Sequence, residues 1–267
     1  MAVIHIDQPA DPRIAGFRDI RERDLTGRQG LFVAEGEVVL NVLLSDRSLC
    51  RPVAILLDSK RVDGLAGVLS RVAEGTPVYV ANQPVLDSIA GFHLHRGILA
   101  LGEKPPVQTM AACLAAPGPD AVVVAACGIG NHDNMGGVFR NAAAFSAEAV
   151  LLDAHCCDPF YRKAIRVSVG AVLRTPMATG LDALTMVEGL KAAGFEVLAL
   201  TPGASEPLEA MSRGGRVAIV LGPEGPGLSP AVIAHCRPVG IPMSGGFDSL
   251  NVSVASGIAL HHFTRKA

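Results

Sequence analysis

The sequence contains no tryptophan and only two tyrosines, so aromatic side chains contribute little to its hydrophobic core. The core must instead be built from Ala, Val, Leu and Ile, which supply most of the 49% of residues that are hydrophobic. This composition is typical of an α/β protein with a buried parallel sheet. At 267 residues the chain is long enough for two domains, each with its own core.

The sequence also lacks a long apolar run, and its amino terminus lacks a basic patch followed by an apolar stretch. These absences predict a cytoplasmic protein without a membrane span or signal peptide. The six cysteines form no CxxC pair, and we expect them to be reduced and mostly buried. We expect no metal at His155, Cys156 and Cys157, because adjacent cysteines fit tetrahedral zinc poorly and no second pair follows.

Charge by itself gives no indication of a nucleic-acid partner. The net charge is −2, and residues 1–104 hold 12 Lys and Arg against 13 Asp and Glu. Arg18, Arg21, Arg23 and Arg28 form a local cluster, but acidic residues lie between them. This pattern favours a solvated helix face over an RNA-binding patch.

Prolines mark a boundary within the chain. The segment KPPVQTMAACLAAPGPD, residues 104–120, has prolines near both ends, and proline interrupts both helix and strand. We therefore predict a small α/β amino-terminal domain over residues 1–104, a linker over 105–118 and a carboxy-terminal domain over 119–267. In the last of these, β-rich runs such as AVVVAACG, AEAVLLDA and RVAIVLG alternate with helical patterns, which indicates parallel strands with crossover helices.

Four loops rich in Gly, Pro, Ser and Asn accompany these predicted strands: CGIGNHDNMGG, TPGASEP, GPEGPGLSP and PMSGGFDSLN. Ligands bind at the carboxyl ends of the strands in an open parallel sheet, so we expect a ligand site there. The first loop does not match a dinucleotide fingerprint, because Asp133 stands where the third glycine belongs. We expect a helix to begin near Gly137. Taken alone, Asn134 is equally well explained as its cap and Arg140 as the partner of a carboxylate.

The remaining loops also have plain structural explanations. Ser229 ahead of Pro230 is typical of a helix cap, so the loop around Glu224 would by itself be an ordinary turn. Ser249 or Asn251 would cap the closing helix predicted for NVSVASGIALHHFTRK, and capping is compatible with a role at a site. The small residues of that helix permit close approach of another helix or chain.

Taken together, three segments resemble the signature motifs of the SpoU (TrmH) family of RNA 2′-O-ribose methyltransferases, in the same order and spacing: NMGGVFRNAAAF, LGPEGPGLS and IPMSGGFDSLNVSVASGIAL. Asn141 departs from the family pattern, in which threonine usually follows the arginine. The segment DPFYRKAIRVSVGAVLRTP, residues 158–176, is similar to a further family segment. RQGLFVAEGEVVL and GFHLHRGILALG are similar to the family's ribosomal-protein-like substrate-binding domain.

The resemblance implies a parallel-sheet methyltransferase domain with a deep trefoil knot, a small RNA-binding domain before it, and a homodimer formed through the carboxy-terminal domain. It implies S-adenosylmethionine as methyl donor and structured RNA as substrate, with ribosomal RNA favoured over transfer RNA. The implied catalytic residues are Asn134, Arg140, Glu224, Ser249 and Asn251. The implied cofactor pocket contains Thr201, Gly222, Ile241, Met243 and Leu250. Candidate RNA contacts are Arg18, Arg28, His93, His95, Arg96 and Arg166.

Several alternatives stay open at this point. A guanidinium stays protonated at neutral pH, so Arg140 is either the base itself or a clamp for a substrate phosphate. His93 and His95 are equally well explained as surface or structural histidines. A catalytically silent RNA-binding protein of the same fold would share the motifs, although the intact catalytic set argues against it. A nucleotide-dependent oxidoreductase is a weaker alternative, because the third glycine is missing.

Overall fold

The computed structural model describes residues 3–18, 30–90, 96–245 and 248–264. The chain divides into two compact units, the first formed by Met1–Pro105 with Phe160–Arg174 and the second by Pro106–Pro159 with Thr175–Ala267. None of the helices in these described ranges is long and apolar enough to cross a membrane. Three of the candidate RNA contacts lie outside the described residues, namely Arg28, His93 and His95.

The elements are numbered here in chain order. The strands are β1 Val3–His5, β2 Leu31–Glu35, β3 Arg51–Asp58, β4 Val78–Ala81, β5 Ile98–Glu103, β6 Val122–Ala126, β7 Ala149–Asp153, β8 Met177–Leu181, β9 Glu196–Leu200, β10 Val217–Leu221 and β11 Arg237–Val239. The α-helices are α1 Glu37–Leu43, α2 Ala66–Leu69, α3 Gln83–Ala90, α4 Met110–Cys113, α5 His132–Ala144, α6 Arg162–Val167, α7 Ala183–Ala192, α8 Pro230–Ala234 and α9 Val252–Thr264. Short 3₁₀ helices occupy Pro12–Phe17, Ser59–Arg61, Asp63–Leu65, Ala171–Leu173 and Leu208–Ala210.

The first unit contains a five-stranded mixed sheet in the order β1-β4-β3-β5-β2. β1 and β3 run parallel to β4, whereas β5 runs antiparallel to both β3 and β2. Alternate residues of these strands, such as Val33, Leu56 and Leu99, are buried in one apolar cluster with α3. The unit therefore has a hydrophobic core of its own, as expected for a small α/β fold.

The segment 160–174 packs on the first unit, although the sequence boundaries assigned it to the carboxy-terminal domain. Arg162 Nη1 lies 3.2 Å from Glu35 Oε2, and the ring centroids of Phe160 and Phe32 are 5.4 Å apart. Helix α6 lies against β2 through these contacts. Sequence position could not show this, because the segment is continuous with β7 and β8 while its apolar side chains pack elsewhere.

The second unit contains a six-stranded sheet in the order β11-β9-β10-β6-β7-β8, and every strand pair in it is parallel. The predicted parallel sheet with crossover helices is confirmed. β6, β7 and β10 are buried along their whole length, which explains their continuous apolar runs. β8 at the sheet edge was not predicted, because its sequence MATGL is short and partly exposed.

Helix starts in the second unit follow capping side chains. α5 begins at His132 and not near Gly137 as predicted, because the Asn131 side chain accepts hydrogen bonds from the backbone N–H groups of Asp133 and Asn134. Asn134 is therefore inside the first turn and is not the cap. The predicted Ser229 cap of α8 and the predicted closing helix α9 are both confirmed.

Candidate active site

The loops that leave β6, β9, β10 and β11 meet at one edge of the second sheet. The strands end in register, because Leu221 pairs with Ala126 and Val239 with Leu200. Backbone hydrogen bonds continue past the ends, with Cys127 N donating to Leu221 O at 2.8 Å and Thr201 N to Val239 O at 3.0 Å. The predicted pocket residues Thr201, Gly222 and Ile241 therefore follow three neighbouring strands at the same edge.

Gly222 lies where the chain after β10 folds back on itself. A Cβ atom at this position would stand 2.5 Å from Leu228 N and 2.8 Å from Gly227 C. Gly225 and Gly227 adopt φ values of 85° and 67°, which side chains rarely allow, and so make the turn possible. The result is a tight loop in which residues 224–227 are exposed at the sheet edge.

The chain after β11 is held by the loop that follows β9. Gly240 N donates to Glu206 O at 2.8 Å, and Leu208 N donates to Gly240 O at 2.7 Å. A Cβ atom at Gly240 would lie 3.3 Å from Ala204 O, so little space remains between the two segments. Ile241 and Met243 follow as half-buried side chains, and Leu250 is 39% exposed.

Asn134, Glu224 and Asn251 form a hydrogen-bonded cluster, which we call the amide cluster. Asn251 Nδ2 donates to Asn134 Oδ1 and to Glu224 Oε1, in both cases at 2.8 Å. The three residues come from the first turn of α5, the loop after β10 and the residue before α9. The structure thus brings together three of the five predicted catalytic residues, which are up to 117 positions apart in sequence.

The orientation of the Asn251 amide is fixed by Ser253. Both the backbone N and the Oγ of Ser253 donate to Asn251 Oδ1, at 2.9 and 2.7 Å, so the oxygen must face α9 and the nitrogen the other two residues. Asn251 therefore caps α9 and joins the cluster at once. Within the described part of the chain, the Asn134 amide nitrogen and the second Glu224 oxygen have no partner, so both are available to a ligand.

Arg140 and Ser249 are not hydrogen-bonded to the amide cluster. Arg140 is exposed on α5, and the structure gives it no hydrogen bond or ion pair with any residue of the described ranges. Among the described residues, no carboxylate pairs with Arg140, so that alternative has no support from this part of the chain. Ser249 is also exposed, and its Oγ donates a hydrogen bond to Oδ1 of the neighbouring Asp248 at 3.2 Å.

Sequence reasoning missed two residues that support the site. Asp153, buried at the end of β7, accepts hydrogen bonds from Gly128 N at 2.9 Å and His155 N at 3.0 Å, and so anchors the first loop. Asn141 Nδ2 on α5 donates to Ser253 O on α9 at 2.6 Å. The signal for Asp153 would have been its position as a carboxylate at the end of a buried strand. The signal for Asn141 would have been its departure from the threonine that is usual in the motif.

Cysteine chemistry does not contribute a nucleophile at this edge. Burial is the main cause that raises the pKa of Cys127 to about 12 and of Cys157 to about 11, and it also raises the pKa of Cys156. These thiols are therefore protonated at neutral pH. All six cysteines are free, as expected; Cys50 and Cys127 are buried, and the other four are partly buried. Among the described residues, no group of three or more His, Cys, Asp or Glu is placed to hold a metal.

The three described candidates for RNA binding lie in the first unit, in different settings. Arg18 is partly buried, and its Nη2 donates to Asp11 O at 2.9 Å. Arg96 is exposed and lies over Gly36, where a Cβ atom would stand 2.9 Å from Arg96 Cδ. Arg166 is exposed on α6. Arg96 and Arg166 thus present charge to solvent, whereas Arg18 is engaged in local structure.

Comparison with known proteins gives a consistent result. Residues 121–261 match the model of the SpoU rRNA Methylase family. A relative from Mycobacterium bovis, named an uncharacterized tRNA/rRNA methyltransferase, is 39% identical over 272 residues, which cover 96% of this chain and 90% of the relative. A crystal structure of an AdoMet-bound rRNA methyltransferase from Sinorhizobium meliloti has the same fold, with a TM-score of 0.81, 22% identity and 97% of both chains covered. A crystal structure described as an RNA 2′-O ribose methyltransferase has a TM-score of 0.78 at 28% identity, again with 97% of both chains covered.

Proposed function

We propose that this chain, which belongs to the SpoU rRNA methylase family, transfers a methyl group from S-adenosylmethionine to a ribose 2′-hydroxyl of structured RNA. The observation that carries the proposal is the amide cluster at the carboxyl edge of a parallel sheet. Asn134, Glu224 and Asn251 lie in three separate family motifs, and they meet there at hydrogen-bond distance. Sequence likeness alone would not require this convergence.

The residues at the sheet edge fit S-adenosylmethionine by their chemistry. Residues 224–227 are exposed next to Gly222, a position that no side chain can fill, and backbone N–H and C=O groups in such a loop suit the polar edge of an adenine ring and a ribose. Ile241, Met243 and Leu250 supply apolar surface for the flat faces of the ring. Thr201 completes the proposed pocket, at the end of β9.

Bound S-adenosylmethionine would supply an electrophilic methyl group on a positively charged sulfur. On transfer of this methyl to a hydroxyl oxygen, the sulfur–methyl bond breaks, a neutral thioether leaves and the hydroxyl proton is lost. The protein must hold the hydroxyl in position and accept or relay its proton. The free amide nitrogen of Asn134 and the free oxygen of Glu224 are a donor and an acceptor held in fixed positions. Asn251 fixes both through one amide group.

Arg140 lies on the same helix as Asn134, exposed and without a partner in the described part of the chain. Its guanidinium is suited to a bidentate contact with a substrate phosphate, which would let the phosphate or a water take the proton. The alternative is that Arg140 takes the proton itself. The proposal includes both roles, and Arg140→Lys separates them in part, because lysine keeps the charge but loses the bidentate fork.

Ribose specificity and the choice of RNA rest on likeness. The structure described as an RNA 2′-O ribose methyltransferase aligns with 97% of this chain at 28% identity. A separate first unit with its own core provides a surface for RNA recognition. We favour ribosomal over transfer RNA, because a separate amino-terminal substrate domain suits a large, structured target.

The proposed fold of the second unit includes a trefoil knot. The segment after β11 is bonded on both sides by the loop after β9, through Glu206 and Leu208 to Gly240. β11 also pairs with β9 itself, so the chain returns beside a strand that it left 36 residues earlier, counted from Thr201 to Arg237. These contacts support a threaded arrangement, although knots are rare in proteins.

We also propose a homodimer through α9. Val254 and Ile258 lie four residues apart on α9, and they are 50% and 39% exposed. Apolar residues at this spacing share one helix face, and a second copy of the chain would cover it. Val254→Asp should give a monomer by sedimentation equilibrium, with Val38→Asp in the first unit as a control of similar exposure, 58% against 50%. A wild-type monomer would exclude the dimer.

One experiment tests the main proposal and its chief alternative. Purified protein is incubated with methyl-labelled S-adenosylmethionine and total RNA from cells that lack this protein, and the RNA is then hydrolysed in alkali. A 2′-O-methyl group blocks cleavage at its own nucleotide, so the proposal predicts label in alkali-resistant dinucleotides. Label in mononucleotides would show base methylation, and RNA binding without transfer would show a catalytically silent protein.

The same protein should bind S-adenosylmethionine in calorimetry and should not bind NAD. Mapping of 2′-O-methyl sites in RNA from cells with and without the protein would then identify the target nucleotide. Loss of a site in ribosomal RNA is the expected result. Loss of a site in transfer RNA alone would support the proposed reaction but identify transfer RNA, and not ribosomal RNA, as the substrate.

A further inference from the structure

We propose that Asn141 is a positioning residue for the methyl-transfer site, and that it acts through Ser253 on Asn251. The inference rests on the proposed function above. It concerns the one position in the first motif at which this chain departs from the family threonine. Asn141 directly follows Arg140, but its side chain faces α9.

The Asn141 amide is bound at both of its donor positions. Asn141 Nδ2 donates to Ser253 O at 2.6 Å and to Ser256 Oγ at 3.0 Å. A backbone carbonyl only accepts, so the nitrogen and not the oxygen must face α9. Ser256 is completely buried, and its own hydroxyl donates to Ser253 O at 2.7 Å. The amide therefore joins a closed set of bonds between the two helices.

Two glycines make this close contact possible. A Cβ atom at Gly137, one turn before Asn141, would stand 2.5 Å from Ser253 Cβ. A Cβ atom at Gly257 would stand 3.2 Å from Asn141 Nδ2. The Asn141 side chain thus occupies a narrow slot between α5 and α9, with little freedom to move.

The contact leads directly to the amide cluster. Ser253 is fixed to α5 by its carbonyl, and its N and Oγ both donate to Asn251 Oδ1. That leaves Asn251 Nδ2 to bridge Asn134 and Glu224. α5 therefore holds the start of α9 at two points, the Asn134–Asn251 bond and the Asn141–Ser253 bond. We infer that the Asn141–Ser253 bond sets the alignment of the Asn134–Asn251 bond.

The methyl-transfer rates of variants at position 141 should follow the number of hydrogen-bond donors that each substitution leaves. Threonine keeps one hydroxyl donor for Ser253 O, alanine keeps none, and aspartate places a charged acceptor against a carbonyl. The expected order of methyl-transfer rate is therefore wild type, Asn141→Thr, Asn141→Ala and Asn141→Asp. A simple loss of side-chain volume would not separate aspartate from asparagine, because the two are nearly isosteric.

The first measurement separates positioning from stability. For Asn141→Ala we expect a fall of about tenfold in the transfer rate at saturating S-adenosylmethionine and RNA, since small misplacements of reacting groups cost large factors in rate. The calorimetric affinity for S-adenosylmethionine should stay unchanged, and Asn141→Thr should recover most of the rate. Val187→Ala, in the core of the same unit on α7, is the control that lowers the melting temperature and leaves the rate at 25 °C near wild type.

The second measurement tests the route through Asn251. If Asn141 acts on Asn251, Asn141→Ala should add little to the rate loss of Asn251→Ala, whereas independent effects would multiply. A wild-type rate for Asn141→Ala, or a multiplicative double variant, would overturn the proposal. A rate loss equalled by Val187→Ala at matched stability would overturn it as well.

A third readout does not depend on activity. The side-chain NH₂ signal of Asn251, assigned by its loss in Asn251→Ala, should shift in Asn141→Ala and return toward its wild-type position in Asn141→Thr. Val187→Ala should leave it in place. An unshifted signal in Asn141→Ala would overturn the proposal. Absence of methyl transfer by the wild-type protein would instead refute the proposed function, while this readout still decides the role of Asn141.

Discussion

The two units of this chain hold their candidate functional residues in opposite ways. In the second unit, Asn134, Glu224 and Asn251 come from distant motifs and are joined by hydrogen bonds of 2.8 Å. In the first unit, the described candidates Arg96 and Arg166 are exposed on separate elements. We relate the contrast to the two proposed tasks: methyl transfer needs a fixed geometry, whereas contacts to RNA phosphates tolerate charges that are spread over a surface.

Substitutions in the two units should therefore have different effects. Changes at the edge of the second sheet should lower the rate of the chemical step or the binding of the methyl donor. Changes of single basic residues in the first unit should lower RNA affinity by small and roughly equal steps.

Arg140→Ala should lower the rate of methyl transfer by about a hundredfold to a thousandfold, the range seen when a single charge-stabilising donor is removed from an active site. Arg140→Lys keeps the charge but loses the bidentate fork, so a phosphate clamp predicts a partial rate for this variant. The measurement is the initial rate at saturating S-adenosylmethionine. A near wild-type rate in both variants would show that Arg140 has no role in methyl transfer.

Gly222→Ala should disturb the loop that follows β10, because the added methyl group would stand 2.5 Å from the backbone nitrogen of Leu228. Forcing an atom into such a space costs about 1–3 kcal/mol, so we expect a lower free energy of unfolding and weaker binding of S-adenosylmethionine. Denaturant titration and calorimetry measure the two effects. Gly67→Ala, in helix α2 of the first unit with nothing within 4 Å of the added atom, is the matched control.

For Gly67→Ala we expect unchanged cofactor binding and an unfolding free energy equal to or slightly above wild type, since alanine favours helix. Equal behaviour of the two glycine variants would show that the loop at Gly222 adapts freely. In that case the tight turn would not define the proposed pocket.

Arg166→Ala in the first unit should have the smallest effect. Loss of one phosphate contact should weaken RNA binding by a few-fold and lower the slope of log affinity against log salt by about 1, with the rate at saturating RNA unchanged. Filter binding over a salt series gives both quantities. Arg51→Ala, whose guanidinium is paired with Glu103, is the control that should leave the salt slope unchanged.

An unchanged slope in Arg166→Ala would remove this residue from the RNA surface. A large fall in the rate at saturating RNA would instead show that Arg166 on α6 contributes to methyl transfer itself, and that the two units do not have separate roles.

Much of the second unit was predictable because its patterns are local. The continuous apolar runs of β6, β7 and β10 predict buried parallel strands, and glycine-rich turns predict the edge at which ligands bind. Ser229 and the closing helix α9 were also predicted from short-range signals. The predicted start of α5, near Gly137, was five residues too late, because the helix begins at His132. Its cap, Asn131, lies in a glycine-rich sequence that is typical of a loop.

The sequence alone determined the family, the parallel sheet and the identity of the residues that its motifs carry, because each depends on neighbours along the chain. Only the tertiary structure decided that Asn251 bridges Asn134 and Glu224, that Asn141 holds Ser253, and that segment 160–174 packs on the first unit. These contacts join residues far apart in sequence. Their formation depends on how helices and loops pack in space, which no local pattern of residues specifies.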